Sequence, residues 1–167
     1  LLSQGFAKNG IHVSEPYAPT REALAADLAM DITDDNLQVA AKSQIWLFAV
    51  KPQVMKAVCA ELKPLAQSQK PLIISIAAGI TAVQLDAWLG GNMAVIRAMP
   101  NTPALLGAGA SGLFATDAVS QAQKQSAEHI FQATGLSQWI VEDTLIDNVT
   151  IIFDSCDDLF FILDGVM

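Results

Sequence analysis

The sequence predicts an α/β fold with a doubly wound, mainly parallel sheet, and three observations carry that expectation. From Gly10 onward, short β-rich runs alternate with segments of helical length. Runs such as "IWLFAV", residues 45–50, lack polar alternation, so both of their faces need cover, and helices on either side of a parallel sheet provide it. The junctions that follow the runs, "VSEPYAPT", "FAVKPQ", "SIAAGIT" and "RAMPNTP", join small residues, proline or an amide to a helix start, as short βα connections require. Right-handed crossovers then place helices on both faces of the sheet.

In chain order, "LLSQGFAKNG" carries Leu1, Leu2 and Phe6 at helical spacing and stops at Gly10. It reads as a crossover helix whose preceding strand lies before Leu1. "IHVSE" is a strand and "TREALAADLAM" a helix; "IWLFAV" is a strand and "QVMKAVCAELKPLA" a helix. Pro52 suits the first turn of that second helix, where a missing N–H costs nothing. Val54, Val58 and Leu62 repeat along it at four-residue spacing, with Met55 and Cys59 beside them. "LIISIA" leads to the helix "VQLDAWL", and "MAVIRAM" is the next strand. Asp117 stands as an N-cap for the helical run "AVSQAQKQSAEHIFQAT". Further on, Leu145, Val149, Ile152, Cys156, Leu159 or Phe160, Leu163 and Met167 recur at three- and four-residue intervals, so residues 145–167 read as one amphipathic helix.

Composition limits the function classes. The 167 residues are 52% hydrophobic and 16% charged, which fits a compact domain with one substantial core. A formal net charge of -8 without basic patches argues against a nucleic-acid partner. The longest apolar stretches, "IWLFAV" and "LIISIAAGI", fall short of the roughly 18 residues that suggest a membrane span. Cys59 and Cys156 lack the paired spacing of a zinc site, so reduced thiols and a cytoplasmic location are expected. Asp154, Asp157 and Asp158 lack the alternating oxygen donors and glycine of a calcium loop, and no metal is expected. His12 and His129 lack partner ligands nearby in sequence, and Trp46, Trp88 and Trp139 sit in or beside apolar runs, where packing is their expected role.

"LLGAGASGLFA" contains G-x-G-x-x-G at Gly107, Gly109 and Gly112, the spacing of a dinucleotide pyrophosphate loop. That motif works only where a strand feeds it and a helix begins inside it. Here Pro100 and Pro103 precede it and the next helix begins late, so these glycines read as a close-packed turn with positive φ positions. Any pyrophosphate loop is expected before Leu1.

The blocks "FAVKPQVMKAV", "SIAAGIT" and "VIRAMPNTPALLGAGASGLFA", together with "LIDNVT", resemble those of the pyrroline-5-carboxylate reductase family in order and spacing over roughly residues 1–150. The resemblance implies a Rossmann-like NAD(P)-binding domain over residues 1–144, without its first strand and glycine loop, followed by a helical dimerisation domain whose first helix is residues 145–167. It implies reduction of a cyclic imine, 1-pyrroline-5-carboxylate, to L-proline by hydride transfer from NADPH or NADH, by a homo-oligomer. It places Ala49, Val50, Lys51 and Pro52 against the cofactor, Ile76, Ala77 and Ala78 near its nicotinamide half, and Asn36 nearby. Small side chains at Ala77 and Ala78 let backbone approach a flat ring. Lys51 is either a charge near the pyrophosphate or a solvated lysine at a helix start.

Ser14 suits a 2′-phosphate, whereas Glu15 prefers a free ribose hydroxyl and Arg21 lies one turn further on; the family resemblance tilts the choice to NADPH. Asn101 and Thr102 are either fixed polar contacts to nicotinamide or substrate, or residues that satisfy a local turn. Asp143 corresponds to a family acid that faces the substrate ring nitrogen, with Glu142 as the alternate alignment and an N-cap ahead of Leu145 as the plainer role. Where the family has Ser-Gly-Ser-Gly-Pro, this chain has Phe153 to Asp157, "FDSCD". That departure keeps two further readings open: a non-catalytic dinucleotide-binding or oligomerisation module, and a related reductase acting on an acyclic substrate.

Overall fold

The computed structural model describes residues 2, 5–100, 109–147 and 159–163. A 3-10 turn at Lys8–Gly10 leads into strand β1 (Ile11–Ser14), followed by α1 (Ala18–Leu28), β2 (Ile32–Thr33), α2 (Asn36–Ala40), β3 (Ile45–Ala49), α3 (Pro52–Gln69), β4 (Leu72–Ser75) and α4 (Ala82–Trp88). Then come β5 (Ala94–Pro100), β6 (Gly109–Ala115), α5 (Gln121–Phe131), β7 (Gly135–Trp139), α6 (Asp143–Ile146) and β8 (Leu159–Leu163). Among the described residues these eight strands form one sheet in the order β2-β1-β8-β3-β4-β5-β6-β7.

The expected doubly wound, mainly parallel sheet is present. β1 pairs with β2, β3 with β4, β4 with β5 and β6 with β7 in parallel, while β6 runs antiparallel to β5. Side-chain alternation along β3 divides the core between the two faces of the sheet. Trp46 and Phe48 join Ile73 and Val95 under α3 and α4; Ile45 and Leu47 join Val13, Ile74, Ile96 and Leu113 under α5, which contributes Ala127, Ile130 and Phe131. Every residue of β3 and β4 is buried, as expected of strands covered on both faces.

Several local expectations are corrected. In α3 the buried stripe is Met55, Cys59, Leu62 and Ala66, and Val54 is largely exposed. The four-residue row Val54–Val58–Leu62 drifts around a 3.6-residue helix, whereas mixed three- and four-residue steps stay on one face. Ser120, not Asp117, caps α5: its hydroxyl accepts the Gln123 N–H while the Gln123 side chain accepts the Ser120 N–H. This reciprocal pair satisfies two otherwise orphaned donors, which Asp117 is too far upstream to do. Before β1 there is the 3-10 turn rather than the end of a regular crossover helix, and Gly5, at φ +88°, interrupts a helical path. Gly109 and Gly112 lie inside strand β6 rather than in a turn, because β5 and β7 supply ladders on both edges that outweigh low glycine propensity. Gly107 lies outside the described residues.

The expectation of one helix over residues 145–167 also fails. α6 spans only Asp143–Ile146, and Leu159–Leu163 forms β8, antiparallel to both β1 and β3. β1 and β3 each offer a ladder edge in the sheet interior, and the apolar run "LFFIL" satisfies both. Two rows of backbone bonds outweigh a helical hydrophobic period there. Cys156 and the acids Asp154, Asp157 and Asp158 lie outside the described residues.

Candidate active site

Because β1, β3, β4 and β5 share one direction, their C-terminal ends line one edge of the sheet. From β1 the chain steps outward to β2, and from β3 it steps the other way to β4 and β5, so the winding reverses between β1 and β3. A crevice outside the strand ends at such a switch point is where doubly wound sheets bind ligands.

At the end of β1, Ser14 is fully buried, and its Oγ has no hydrogen-bond partner among the described residues. Glu15 follows, 1% exposed, its Oε1 accepting the Tyr17 N–H at 2.7 Å while its own N–H donates to Thr33 O at 2.8 Å. Arg21 Nη1 donates to the carbonyls of Glu15 at 2.7 Å and Pro16 at 3.1 Å, and Nη2 lies 3.5 Å from Asp34. The β1 terminus thus combines a buried hydroxyl and an acid with a neighbouring guanidinium.

At the end of β4 the turn toward α4 is held from behind. Arg97, on β5, is 1% exposed; its Nη1 reaches Asp143 Oδ1 and its Nη2 reaches Asp147 Oδ1, each at 2.7 Å. Asp143 and Asp147 lie four residues apart, the spacing that puts side chains on one side of a helical turn. Each carboxylate also holds backbone: Asp147 Oδ1 accepts the Gly79 N–H at 3.1 Å, and Asp143 Oδ2 accepts the Ala82 N–H at 2.8 Å. Gly79 stands at φ +72°, a left-handed conformation that favours glycine.

Residues 1–79 match the family described as NADP oxidoreductase, coenzyme F420-dependent. The pyrroline-5-carboxylate reductase of Pseudomonas aeruginosa is 42% identical over 167 residues, a match that covers 100% of this chain and 61% of that protein. Over the stretch they share, the chain is similar to pyrroline-5-carboxylate reductases. The fold agrees: a pyrroline-5-carboxylate reductase from Coxiella burnetii superposes with a TM-score of 0.73 at 39% identity, covering 77% of this chain and 47% of that one. The Plasmodium falciparum pyrroline carboxylate reductase with NADP bound gives 0.64 at 27% identity, covering 71% and 44%. The chain spans 61% of the length of the P. aeruginosa relative.

Of the positions that the pyrroline-5-carboxylate reductase resemblance singles out, most gather at the switch-point edge. Ser14 ends β1; Ala49 ends β3, with Val50 and Lys51 leading to Pro52 at the start of α3; Ile76, Ala77 and Ala78 follow β4. Ala49, Val50 and Ala77 are buried, whereas Lys51 and Ala78 are exposed. The Ala77 N–H donates to Ser75 Oγ at 3.2 Å, which draws the turn back onto its own strand. Asn36 begins α2, its Nδ2 donating to Glu61 Oε2 at 3.3 Å. Glu142 precedes α6 without a side-chain cap bond, and Asp143 is the first residue of that helix. Asn101 and Thr102 lie outside the described residues.

Sequence reasoning missed Arg97 and Asp147. The available signal was a single charged residue inside the apolar run "MAVIRAM", because a buried arginine needs carboxylate partners.

A cavity of about 680 Å³ opens at the opposite edge, at the starts of β3 and β4, and is lined by Lys42, Gln44, Gln69, Lys70 and Gln123 among others. Its polar groups are largely committed: Lys70 Nζ donates to Gln67 Oε1 at 2.9 Å and Gln69 Nε2 to Ala41 O at 3.0 Å. The strand-end edge, not this cavity, has the chemistry of a site. Among the described residues no group of three or more His, Cys, Asp and Glu side chains is placed to hold a metal ion, and no helix is long and apolar enough to cross a membrane.

Proposed function

We propose that the protein reduces 1-pyrroline-5-carboxylate to L-proline with NADPH or NADH. The observation that carries this reading is the convergence of Ser14, Ala49–Pro52 and Ile76–Ala78 at strand ends on both sides of the switch point, in a chain 42% identical to a pyrroline-5-carboxylate reductase. A nicotinamide cofactor fits these residues: the buried Ser14 Oγ, without a partner among the described residues, is a polar group suited to the ribose or its 2′-phosphate.

When bound, the cofactor supplies the hydride that adds to the imine carbon. The chain's own residues orient the reactants and control charge. Ala77 and Ala78 leave room for a planar ring against the backbone after β4. Lys51 adds positive charge at the start of α3, whose N-terminus also favours an anion. Asn101 and Thr102 are placed by the family resemblance at the nicotinamide or the substrate. Asp143, or Glu142 in the alternate alignment, favours a protonated, more electrophilic imine. Arg21, held on the carbonyl of Glu15 just after Ser14, supports NADPH as the preferred donor.

The same reading assigns residues 1–144 to the cofactor domain, to whose sheet β8 adds Leu159–Leu163 in place of the expected helix, and makes the protein a cytoplasmic homo-oligomer. Imine-dependent oxidation of NADPH or NADH, followed at 340 nm with proline as product, tests it. Cofactor binding without turnover would refute it. It would favour a second reading, a non-catalytic dinucleotide-binding or oligomerisation module, which the replacement of the family's Ser-Gly-Ser-Gly-Pro by "FDSCD" motivates. Turnover confined to acyclic imines in a substrate panel would instead point to a related reductase.

A further inference from the structure

We infer that Arg97 is a positioning residue for this reaction, acting through Asp143 and Asp147 on the turn after β4; the inference rests on the function proposed above. The Arg97 fork reaches both carboxylates at 2.7 Å, and Nη1 also donates to Asp143 O at 3.2 Å. The carboxylates hold the N–H groups of Gly79 and Ala82, so one side chain on β5 fixes both ends of the segment that follows Ile76–Ala78. These three residues are the ones proposed to face the nicotinamide.

A lysine cannot substitute for this arrangement. Its ammonium is a point charge on a flexible stem, whereas guanidinium is a planar fork that fixes two acceptors at once. Stability alone is a weak reason to bury this charge, because apolar replacements of buried ion clusters are often neutral or stabilising. What the cluster provides is a fixed height and orientation for the turn. A buried arginine whose two partners each hold an amide of one turn transmits any displacement of its fork to that turn, and misplacing reacting groups by about 1 Å costs on the order of 100-fold in rate.

The test compares wild type with Arg97→Lys and with the paired variant Arg97→Met, Asp147→Asn, which leaves the Asp143 carboxylate in place, so that a folded variant remains if one of them fails to fold. The readouts are the thermal midpoint, the amide resonances of Gly79 and Ala82, NADPH affinity by fluorescence, and kcat and KM for the imine. We expect cooperative unfolding, shifted Gly79 and Ala82 resonances, a kcat lowered on the order of 10- to 100-fold, and a KM changed by no more than about threefold. A folded variant with kcat within about twofold of wild type, or with both amide resonances unmoved, would overturn the inference. Wild type without imine-dependent oxidation would refute the proposed reaction instead, and the two amide resonances would still report whether Arg97 sets the turn.

Discussion

Asp143 serves a helix other than its own: its Oδ2 accepts the N–H of Ala82, in the first turn of α4, at 2.8 Å, while α6 begins with Asp143 itself. Its other oxygen meets Arg97, so removing the carboxylate strips α4 of a cap and leaves a buried guanidinium with one of its two acid partners. Asp143→Ala should therefore cost about 2–4 kcal/mol. Urea unfolding followed by circular dichroism measures it, and a loss below about 0.5 kcal/mol would mean that the pair contributes no net stability.

Burial in the α3 core pushes the Cys59 thiol from 9.0 up to about 12. The folded state therefore keeps a proton that the unfolded chain releases. Stability from this group is fully present below pH 9.0 and is lost as pH rises toward about 12, by at most about 1.4 kcal/mol per pH unit. In a Cys156→Ser background, a thiol reagent at pH 8 should label Cys59 only after denaturation. Prompt labelling of the folded protein would contradict this picture, and Cys59→Ala should flatten the alkaline decline.

Gly135 opens β7 at φ +129°, and a Cβ there would collide with the backbone of Gly109 on β6, with the Gly109 nitrogen only 2.7 Å away. Neither a strained φ nor a paired strand can yield cheaply. Gly135→Ala should lower stability by about 2–3 kcal/mol or more, seen as a drop in the thermal midpoint. An unchanged midpoint would show that the β6–β7 register adjusts freely.

Ala78 is exposed on the turn after β4, so enlarging it should leave folding intact. If this turn faces the nicotinamide, Ala78→Leu should weaken NADPH binding about tenfold or more while the thermal midpoint stays within about 2 °C. Fluorescence titration checks the first part and a thermal melt the second. Unchanged affinity would place the ring elsewhere.

The parallel half of the sheet is legible in the sequence because its strands are uninterrupted apolar runs. "IWLFAV" and "LIISIA" announce β3 and β4, and the proline at the start of α3 marks where the chain turns. β2 and α2 escape local reading because two and five residues are too few to display a period. β6 hides behind its glycines, whose low strand propensity is overridden by pairing on both sides. The strand-end residues of the site are legible as junctions, whereas the Arg97 cluster joins residues 46 and 50 positions apart and leaves no local pattern. β8 is a clear reversal: its apolar spacing suits a helix, and a vacant ladder between two other strands makes it extended.

That insertion has a consequence for how protection from hydrogen exchange is shared. Among the described residues β8 is the one strand through which β1 and β2 hydrogen-bond to the other five. A local opening of five residues, Leu159–Leu163, would expose one edge of β1 and one edge of β3 to solvent at the same moment. Amide protons on those two facing edges should exchange at a common rate, set by the lifetime of β8, whereas the β3–β4 and β4–β5 ladders exchange on the slower clock of the core.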